Sequence, residues 1–218
     1  MRMRRFLRSD FSAAILLCLV MVVALAIGAA SVSAPVAPAA QPDPLSYTVK
    51  LVRPDGHGSA VHIGGGVYLT AAHVVAGVTS IGAQFDTGVA LRATVLVADH
   101  DYDIAILMAE GHTPRASAPL SCSDPATHSA VRLIGNPLSV EFLTLRGYIA
   151  GAPRRLEPWT LVSPVDSTVT GGMSGGPVLD DAGNVVGITV GVMGFGMGLV
   201  GIGAVVPGSA ICRVLSTI

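Results

Sequence analysis

Ser174 lies in a run of glycines, and this run is the segment of the sequence best suited to nucleophilic chemistry. Residues 171–177 read Gly-Gly-Met-Ser-Gly-Gly-Pro. A serine hydroxyl is a weak nucleophile that needs exposure and a neighbouring base. Flanking glycines permit positive φ and a tight turn, and they leave backbone N–H groups free to face a developing oxyanion. The segment predicts a nucleophilic serine at the apex of a loop; the alternative is a glycine-rich turn with an incidental serine.

Two further segments contain side chains that could activate this hydroxyl. His73 follows Leu-Thr-Ala-Ala at residues 69–72, and an imidazole can take up and return a proton near neutral pH. Asp103 precedes an apolar Ile-Ala-Ile-Leu run, where a carboxylate is costly to bury unless it is paired. A histidine N–H is a natural partner that fixes the tautomer a general base needs. The alternatives are a structural histidine and a solvated turn aspartate, which suits Asp99 and Asp101.

The elements that must position these residues are short apolar runs separated by Gly, Pro and Asp. The runs are rich in Val, Ile and Thr, and turn signals recur roughly every 8–12 residues, which predicts an all-β sandwich or barrel. Helical structure is expected only as a turn at residues 71–77 and as a C-terminal amphipathic helix at 208–218. The predicted strands are 47–52, 59–63, 67–70, 90–98, 104–108, 130–134, 142–150, 159–164, 177–179, 185–192 and 199–206.

One uncharged stretch, residues 187–206, is long enough to be considered as a membrane span. It contains seven glycines, and each glycine costs about 1 kcal/mol in a helix interior. We therefore predict two glycine-rich strands joined at residues 194–198, with glycines where another group approaches the backbone closely.

Composition and charge exclude several classes of protein. The chain has 218 residues and is 51% hydrophobic and 12% charged, which excludes intrinsic disorder. Its 13 Lys and Arg residues nearly balance 14 Asp and Glu residues, which argues against nucleic-acid binding. The other five histidines show no metal-ligand spacing with acids or cysteines, so neither a metal nor a cofactor is expected; they are His57, His62, His100, His112 and His128.

The N-terminal segment predicts export from the cytoplasm. Arginines in the first eight residues precede the apolar residues 11–30, which could just span a hydrocarbon core at about 1.5 Å per residue. The positive charges keep the start cytosolic and send the rest outward, to the periplasm or the medium. Small residues at 28–30 and 32–34 fit a cleaved signal peptide, whereas the length of the apolar stretch fits an uncleaved membrane anchor. Both alternatives stay open.

Proline and alanine dominate residues 31–45, which predicts an extended, semi-rigid spacer before the folded part. After the leader, the chain contains two cysteines, Cys122 and Cys212. In an oxidising compartment they could form one disulfide; two buried free thiols are the alternative.

Together and in this chain order, the segments around His73, Asp103 and Ser174 resemble the chymotrypsin-like (trypsin-fold) serine peptidases. The short spacings between them are similar to those of compact bacterial members, including the protease domain of HtrA-type enzymes. Residues 201–207, Gly-Ile-Gly-Ala-Val-Val-Pro, are likewise similar to the closing strand of HtrA proteases. The likeness covers residues 46–218, and the PDZ domain of those enzymes is not expected after Ile218.

The resemblance implies two packed six-stranded antiparallel β-barrels with the site between them. Barrel one would cover residues 46–112, a connection 113–129 and barrel two 130–207. Ser174 would attack the scissile carbonyl, His73 would transfer the proton, and Asp103 would orient the imidazole. The backbone N–H groups of Gly172 and Ser174 would form the oxyanion hole.

An extracytoplasmic serine endopeptidase acting on proteins or peptides is therefore expected. The N-terminal helix, if uncleaved, would attach it to the membrane. Two alternatives remain: a catalytically silent binding or scaffold protein of the same fold, and an esterase acting on small acyl esters.

The sequence departs from the family pattern at two positions. Met173 stands where trypsin-type members have Asp and many HtrA-type members have Asn, so activation by a newly cut N-terminus is not expected. Thr168 stands six positions before the serine, where members that select Lys or Arg have Asp. An uncharged pocket for small or medium apolar side chains is expected, lined by Thr168, Ile188, Thr189, Val190, Gly201 and Gly203.

Overall fold

Thirteen β-strands make up the larger part of the residues that the computed structural model describes, which are 41–111, 116–195 and 198–218. The predicted leader and residues 31–40 of the predicted spacer lie outside these ranges. Short 3-10 helices cover Pro44–Tyr47 and Ala72–Val75. The strands are β1 (Thr48–Arg53), β2 (Gly56–Gly64), β3 (Val67–Thr70), β4 (Ser80–Gln84), β5 (Ala90–Asp99), β6 (Ile104–Glu110), β7 (Ala130–Gly135), β8 (Leu143–Ile149), β9 (Arg154–Leu156), β10 (Trp159–Asp166), β11 (Pro177–Leu179), β12 (Val185–Phe195) and β13 (Gly198–Pro207).

The first half of the fold is a closed six-stranded barrel, as predicted. Its strands pair antiparallel in the order β1-β2-β3-β6-β5-β4, and pairing of β1 with β4 closes the ring. Leu51, Leu69 and Ile106 are fully buried inside it. Each strand supplies apolar side chains to one interior, and closing the sheet into a barrel leaves no open edge.

The second half is a seven-stranded sheet in which the six expected strands pair in a closed ring and one further strand is added. The order is β13-β12-β11-β7-β8-β10-β9, and β10 also pairs with β13. The additional strand is β9, which has three residues and pairs only with β10 among the described strands. Sequence reasoning missed it because Arg154 and Arg155 are exposed and the strand contains no apolar run.

The uncharged stretch forms β12 and β13, which pair antiparallel as predicted. Glycine is required where the strands meet their neighbours closely. A Cβ on Gly203 would lie 2.5 Å from Cγ2 of Val169, and a Cβ on Gly187 would lie 2.5 Å from Cγ1 of Val205. Among the described residues, no helix is long and apolar enough to cross a membrane.

A single α-helix, α1 (Gly208–Leu215), ends the described part of the chain, close to the predicted bounds. Its buried face includes Ala210, Ile211 and Val214. Cys212 forms a disulfide with Cys122 in the segment that connects the two halves, with their Cα atoms 5.6 Å apart. The disulfide therefore joins the last helix to a position 90 residues earlier in the chain.

Candidate active site

His73 lies in the 3-10 helix that follows β3, and Arg53 of β1 supports this turn. The Arg53 guanidinium donates to the carbonyl oxygens of Val74 at 2.9 Å and Ala76 at 3.0 Å. It also pairs with Asp55 at 2.9 Å. The hydrogen bond from Arg53 holds the pKa of the Asp55 carboxyl below its ordinary value. Hydrogen bonds from Arg53 thus connect the backbone next to His73 to strand β1 of the first barrel.

The Asp103 carboxylate is paired with His73 in the structure. Oδ1 of Asp103 accepts from the backbone N–H of His73 at 2.9 Å, and Oδ2 lies 2.8 Å from Nδ1 of the same residue. Asp103 is only 8% exposed and has φ +57°, in the left-handed region that aspartate tolerates better than most residues with a Cβ. The His73 side chain is 49% exposed. With Nδ1 donating to the carboxylate, Nε2 is left as a proton acceptor.

Ser174 lies in the loop between β10 and β11, which packs against the first barrel. Its carbonyl oxygen accepts from the backbone N–H of Ser59 on β2 at 2.8 Å. The next residue, Gly175, has φ +84°, and a Cβ there would lie 2.1 Å from Oγ1 of Thr70 and 2.9 Å from the backbone nitrogen of Ala71. The serine loop therefore contacts the end of β3 that leads into His73.

Within the described ranges, the Ser174 hydroxyl makes no hydrogen bond to any residue, His73 included. Active-site hydrogen bonds in free enzymes are often long and tighten only when substrate binds. The structure thus brings His73 and Asp103 into contact and places the serine loop beside the same turn.

Gly172, two residues before the serine, occupies a position that only glycine can fill. It has φ +95°, and a Cβ there would lie 2.1 Å from the carbonyl oxygen of Asn136 and 2.4 Å from Nε2 of His57. In the described part of the chain, the backbone N–H groups of Gly172 and Ser174 donate to no protein acceptor. Two such N–H groups, on either side of Met173, are the kind of donors that an oxyanion hole requires.

Ser59 and Asn136 form a buried network behind this loop. The Ser59 hydroxyl donates to the carbonyl oxygen of Gly172 at 2.8 Å. It accepts from the backbone N–H of Asn136 at 3.1 Å and from its side-chain Nδ2 at 3.0 Å. His57 Nε2 lies 2.7 Å from the Asn136 carbonyl oxygen. One buried hydroxyl thus links β2, the end of β7 and the serine loop.

Met173 anchors the loop by apolar burial. Its side chain is fully buried in the core cluster of the second sheet, which includes Leu133, Ile149 and Val165. A Cβ on Gly135 would lie only 3.0 Å from Cα of Met173, so the loop packs directly on the end of β7. A methionine at this position supplies hydrophobic contacts in place of a polar partner.

The structure places the six residues predicted to line the substrate pocket in different surroundings, and their role in substrate binding stays a prediction. Ile188 and Thr189 are fully buried, and Gly203 packs against Val169. Val190 lines a cavity of about 390 Å³ beside the His73–Asp103 pair, whose other lining residues are His73, His100, Asp103, Pro158 and Trp159.

Thr168 and Gly201 instead line a second cavity of about 400 Å³. Its lining includes charged residues, namely Arg132, Arg146, Asp166 and Asp181. This cavity therefore differs from the uncharged pocket that was expected.

Sequence reasoning missed Arg53, Ser59, Asn136 and the contact of Trp159 with Asp103. The Trp159 indole Nε1 donates to Oδ2 of Asp103 at 3.2 Å. The only available signal was its status as the single tryptophan of the chain, and this does not identify a partner. No group of three or more His, Cys, Asp or Glu residues that could hold a metal ion occurs in the part of the chain that the structure describes.

Comparison with known proteins places this geometry in a family. The trypsin-like peptidase domain matches residues 58–188, more than half of the chain. The periplasmic pH-dependent serine endoprotease DegQ of Escherichia coli (strain K12) is 26% identical over 156 residues, which are 70% of this chain and 34% of DegQ. The magnetosome formation protease MamE of Paramagnetospirillum magneticum is 30% identical over 191 residues, 77% of this chain and 26% of MamE. The chain thus spans about a third or less of these relatives.

Solved structures show the same likeness. The HtrA-type protease AlgW with a tripeptide has a TM-score of 0.69 at 26% identity, over 79% of this chain and 59% of that one. The Rv3671c protease of M. tuberculosis H37Rv in its inactive form also has a TM-score of 0.69, at 25% identity, over 84% of this chain and 99% of that one. The chain therefore belongs to the trypsin-like peptidase family, and it is similar to HtrA-type proteases.

Proposed function

We propose that this chain is a serine endopeptidase that hydrolyses peptide bonds of proteins outside the cytoplasm. Ser174 is the nucleophile, His73 is the general base and acid, and Asp103 is the carboxylate that orients His73. The observation that carries the proposal is the His73–Asp103 pair, in which the carboxylate accepts both the backbone and the side-chain N–H of His73. Such a pair fixes one tautomer and leaves Nε2 to accept the serine proton.

The reaction would proceed through an acyl-enzyme. Oγ of Ser174 attacks the substrate carbonyl carbon while its proton moves to Nε2 of His73. The carbonyl oxygen becomes an oxyanion that accepts hydrogen bonds from the N–H groups of Gly172 and Ser174, each typically worth about 3 kcal/mol of barrier. His73 then returns the proton to the leaving amine, and water hydrolyses the acyl-enzyme by the same sequence of proton transfers.

Support for an extracytoplasmic location comes from the disulfide and the leader. The Cys122–Cys212 disulfide is a feature of proteins from oxidising compartments, and the N-terminal arginines and apolar residues 11–30 are those of an exported chain. The relative DegQ is named as periplasmic. We divide the chain into a leader or anchor at 1–30, a spacer at 31–45 and a protease domain at 46–218.

Hydrolysis of casein and of small peptide amides by the full chain tests the proposal. The Ser174→Ala variant should lose turnover by at least about three orders of magnitude. The matched control is Ser123→Ala, because Ser123 is an exposed serine in the connecting segment, and this variant should retain wild-type rates. Absence of hydrolysis by the wild type would favour a silent binding protein. Hydrolysis of acyl esters without hydrolysis of peptides would favour an esterase.

A further inference from the structure

We propose that Trp159 is a positioning residue for the catalytic pair: its indole N–H fixes the Asp103 carboxylate, and through it His73, from the second half of the fold. The inference rests on the proposed function. It adds a residue of the second half whose contact with Asp103 makes the His73–Asp103 pair depend on the packing of the two halves.

Trp159 is held on both sides at the start of β10. Its indole ring packs on β12 so closely that a Cβ on Gly191 would lie 2.7 Å from Cζ2 and 3.0 Å from Cη2 of the ring. The next residue, Thr160, donates its backbone N–H to the carbonyl oxygen of Asp101 at 3.2 Å. The indole is therefore fixed between the second sheet and the turn that precedes Asp103.

The Asp103 carboxylate has few other donors. Oδ1 is shared by the two N–H groups of His73, and Oδ2 accepts from His73 Nδ1 at 2.8 Å and from Trp159 Nε1 at 3.2 Å. Of the second-half residues that line the adjoining cavity, Pro158 and Val190 have side chains without any donor. Trp159 is thus the donor that the second half supplies to this carboxylate among the described residues.

A donor at Oδ2 has two consequences for His73. It prevents rotation of the carboxylate, so the acceptor stays aligned with Nδ1–H. The Asp103 residue itself is almost fully buried and has a backbone φ of +57°. The donor also withdraws negative charge from the carboxylate. Loss of the donor should therefore misalign the imidazole and stabilise its protonated form, which cannot act as a base.

The Trp159→Phe variant tests the inference, because phenylalanine retains an aromatic ring against Gly191 and lacks the N–H. We expect kcat/KM to fall by about tenfold, mainly through kcat, and the acid limb of its pH profile to move to higher pH. In proton NMR spectra, the downfield resonance of the His73 Nδ1–H should shift. In the described part of the chain, Asp103 contacts the imidazole and His100 lines the same cavity, and His100→Gln identifies any contribution of His100 to the acid limb.

A matched control separates positioning from packing. Leu161 lies on the same strand, packs against the core and has no hydrogen-bond donor in its side chain. Leu161→Ala should lower the melting temperature but leave the acid limb and the Nδ1–H resonance in place. In the wild type, the emission of the single tryptophan should titrate with the midpoint of the acid limb, a measurement that needs no variant of Trp159 and so remains available if Trp159→Phe fails to fold.

The outcomes distinguish this inference from the proposed function. An active wild type whose Trp159→Phe variant keeps kcat/KM, acid limb and resonance unchanged would overturn the inference alone. A wild type without hydrolysis would overturn the proposed function, while the NMR shift between wild type and Trp159→Phe would still decide the role of Trp159. Tryptophan emission that is flat across the acid limb would also count against the inference.

Discussion

Replacement of Ser59 by alanine should weaken both the fold and catalysis, because one buried hydroxyl joins three groups behind the serine loop. Ser59→Ala removes the donor to the Gly172 carbonyl and the acceptor for two N–H groups of Asn136. Ser59 and Asn136 are both fully buried, so water cannot readily replace the lost oxygen. Leaving buried polar groups unsatisfied costs about 1–3 kcal/mol each.

The expected magnitudes follow from these contacts. Because the Asn136 amide and the Gly172 carbonyl can relax in part, we expect Ser59→Ala to lower the free energy of unfolding by about 2–4 kcal/mol. A fully lost oxyanion donor reduces kcat by about 10²–10³. A Gly172 N–H that is present but less well oriented should therefore reduce kcat by about 10-fold to 100-fold, with a smaller change in KM.

The assay compares urea unfolding and peptide hydrolysis of Ser59→Ala with those of Ser163→Ala. Ser163 is as buried as Ser59, but its hydroxyl has no hydrogen-bond partner among the described residues. Removing that hydroxyl should leave stability unchanged or slightly increased, and kcat unchanged. The reasoning is refuted if the two variants unfold at the same urea concentration and hydrolyse peptides at the same rate.

Three further predictions concern the pair, the disulfide and the pocket. Asp103→Asn should reduce kcat by about 10⁴ because it favours the wrong tautomer of His73; a stopped assay of peptide hydrolysis measures this, and a loss below about tenfold would contradict the assigned role. Reduction of the Cys122–Cys212 disulfide, or replacement of both cysteines by serine, should lower the free energy of unfolding by about 2–4 kcal/mol, because the bridge closes a 90-residue loop. Urea titrations measure this, and an unchanged unfolding midpoint would show that the disulfide adds no stability. Peptides with Ala, Val or Leu before the scissile bond should be cleaved faster than peptides with Arg, because Thr168 replaces an acidic residue and Val169 packs on Gly203. The reverse ranking in kcat/KM would instead point to Asp166 in the second cavity.

Local patterns in the sequence were sufficient to predict most of the strands. Apolar runs bounded by Gly, Pro and Asp predicted eleven of the thirteen described strands. The missed strand β4 alternates correctly, but only Ile81 and Ala83 are buried, and this is too weak a hydrophobic signal to detect. The pairing of Asp103 with His73 followed from the high cost of an unpaired carboxylate at the head of a buried strand.

Contacts between distant segments could not be predicted. Trp159 and Asp103 are 56 residues apart, and Ser59 and Gly172 are 113 apart; nothing local distinguishes these residues from others of their type. The pocket prediction treated Ile188, Thr189 and Val190 as one wall. Because side chains alternate between the two faces of a strand, consecutive residues cannot all face one cavity, and only Val190 lines one beside His73.

Labelling with a fluorophosphonate probe tests the central claim most directly, since the probe reacts only with an activated serine. We predict a single adduct, located by peptide mass spectrometry at Ser174, and a labelling rate that falls by at least about 10³ in His73→Ala. An adduct on another residue, or equal labelling rates of the wild type and His73→Ala, would contradict the account.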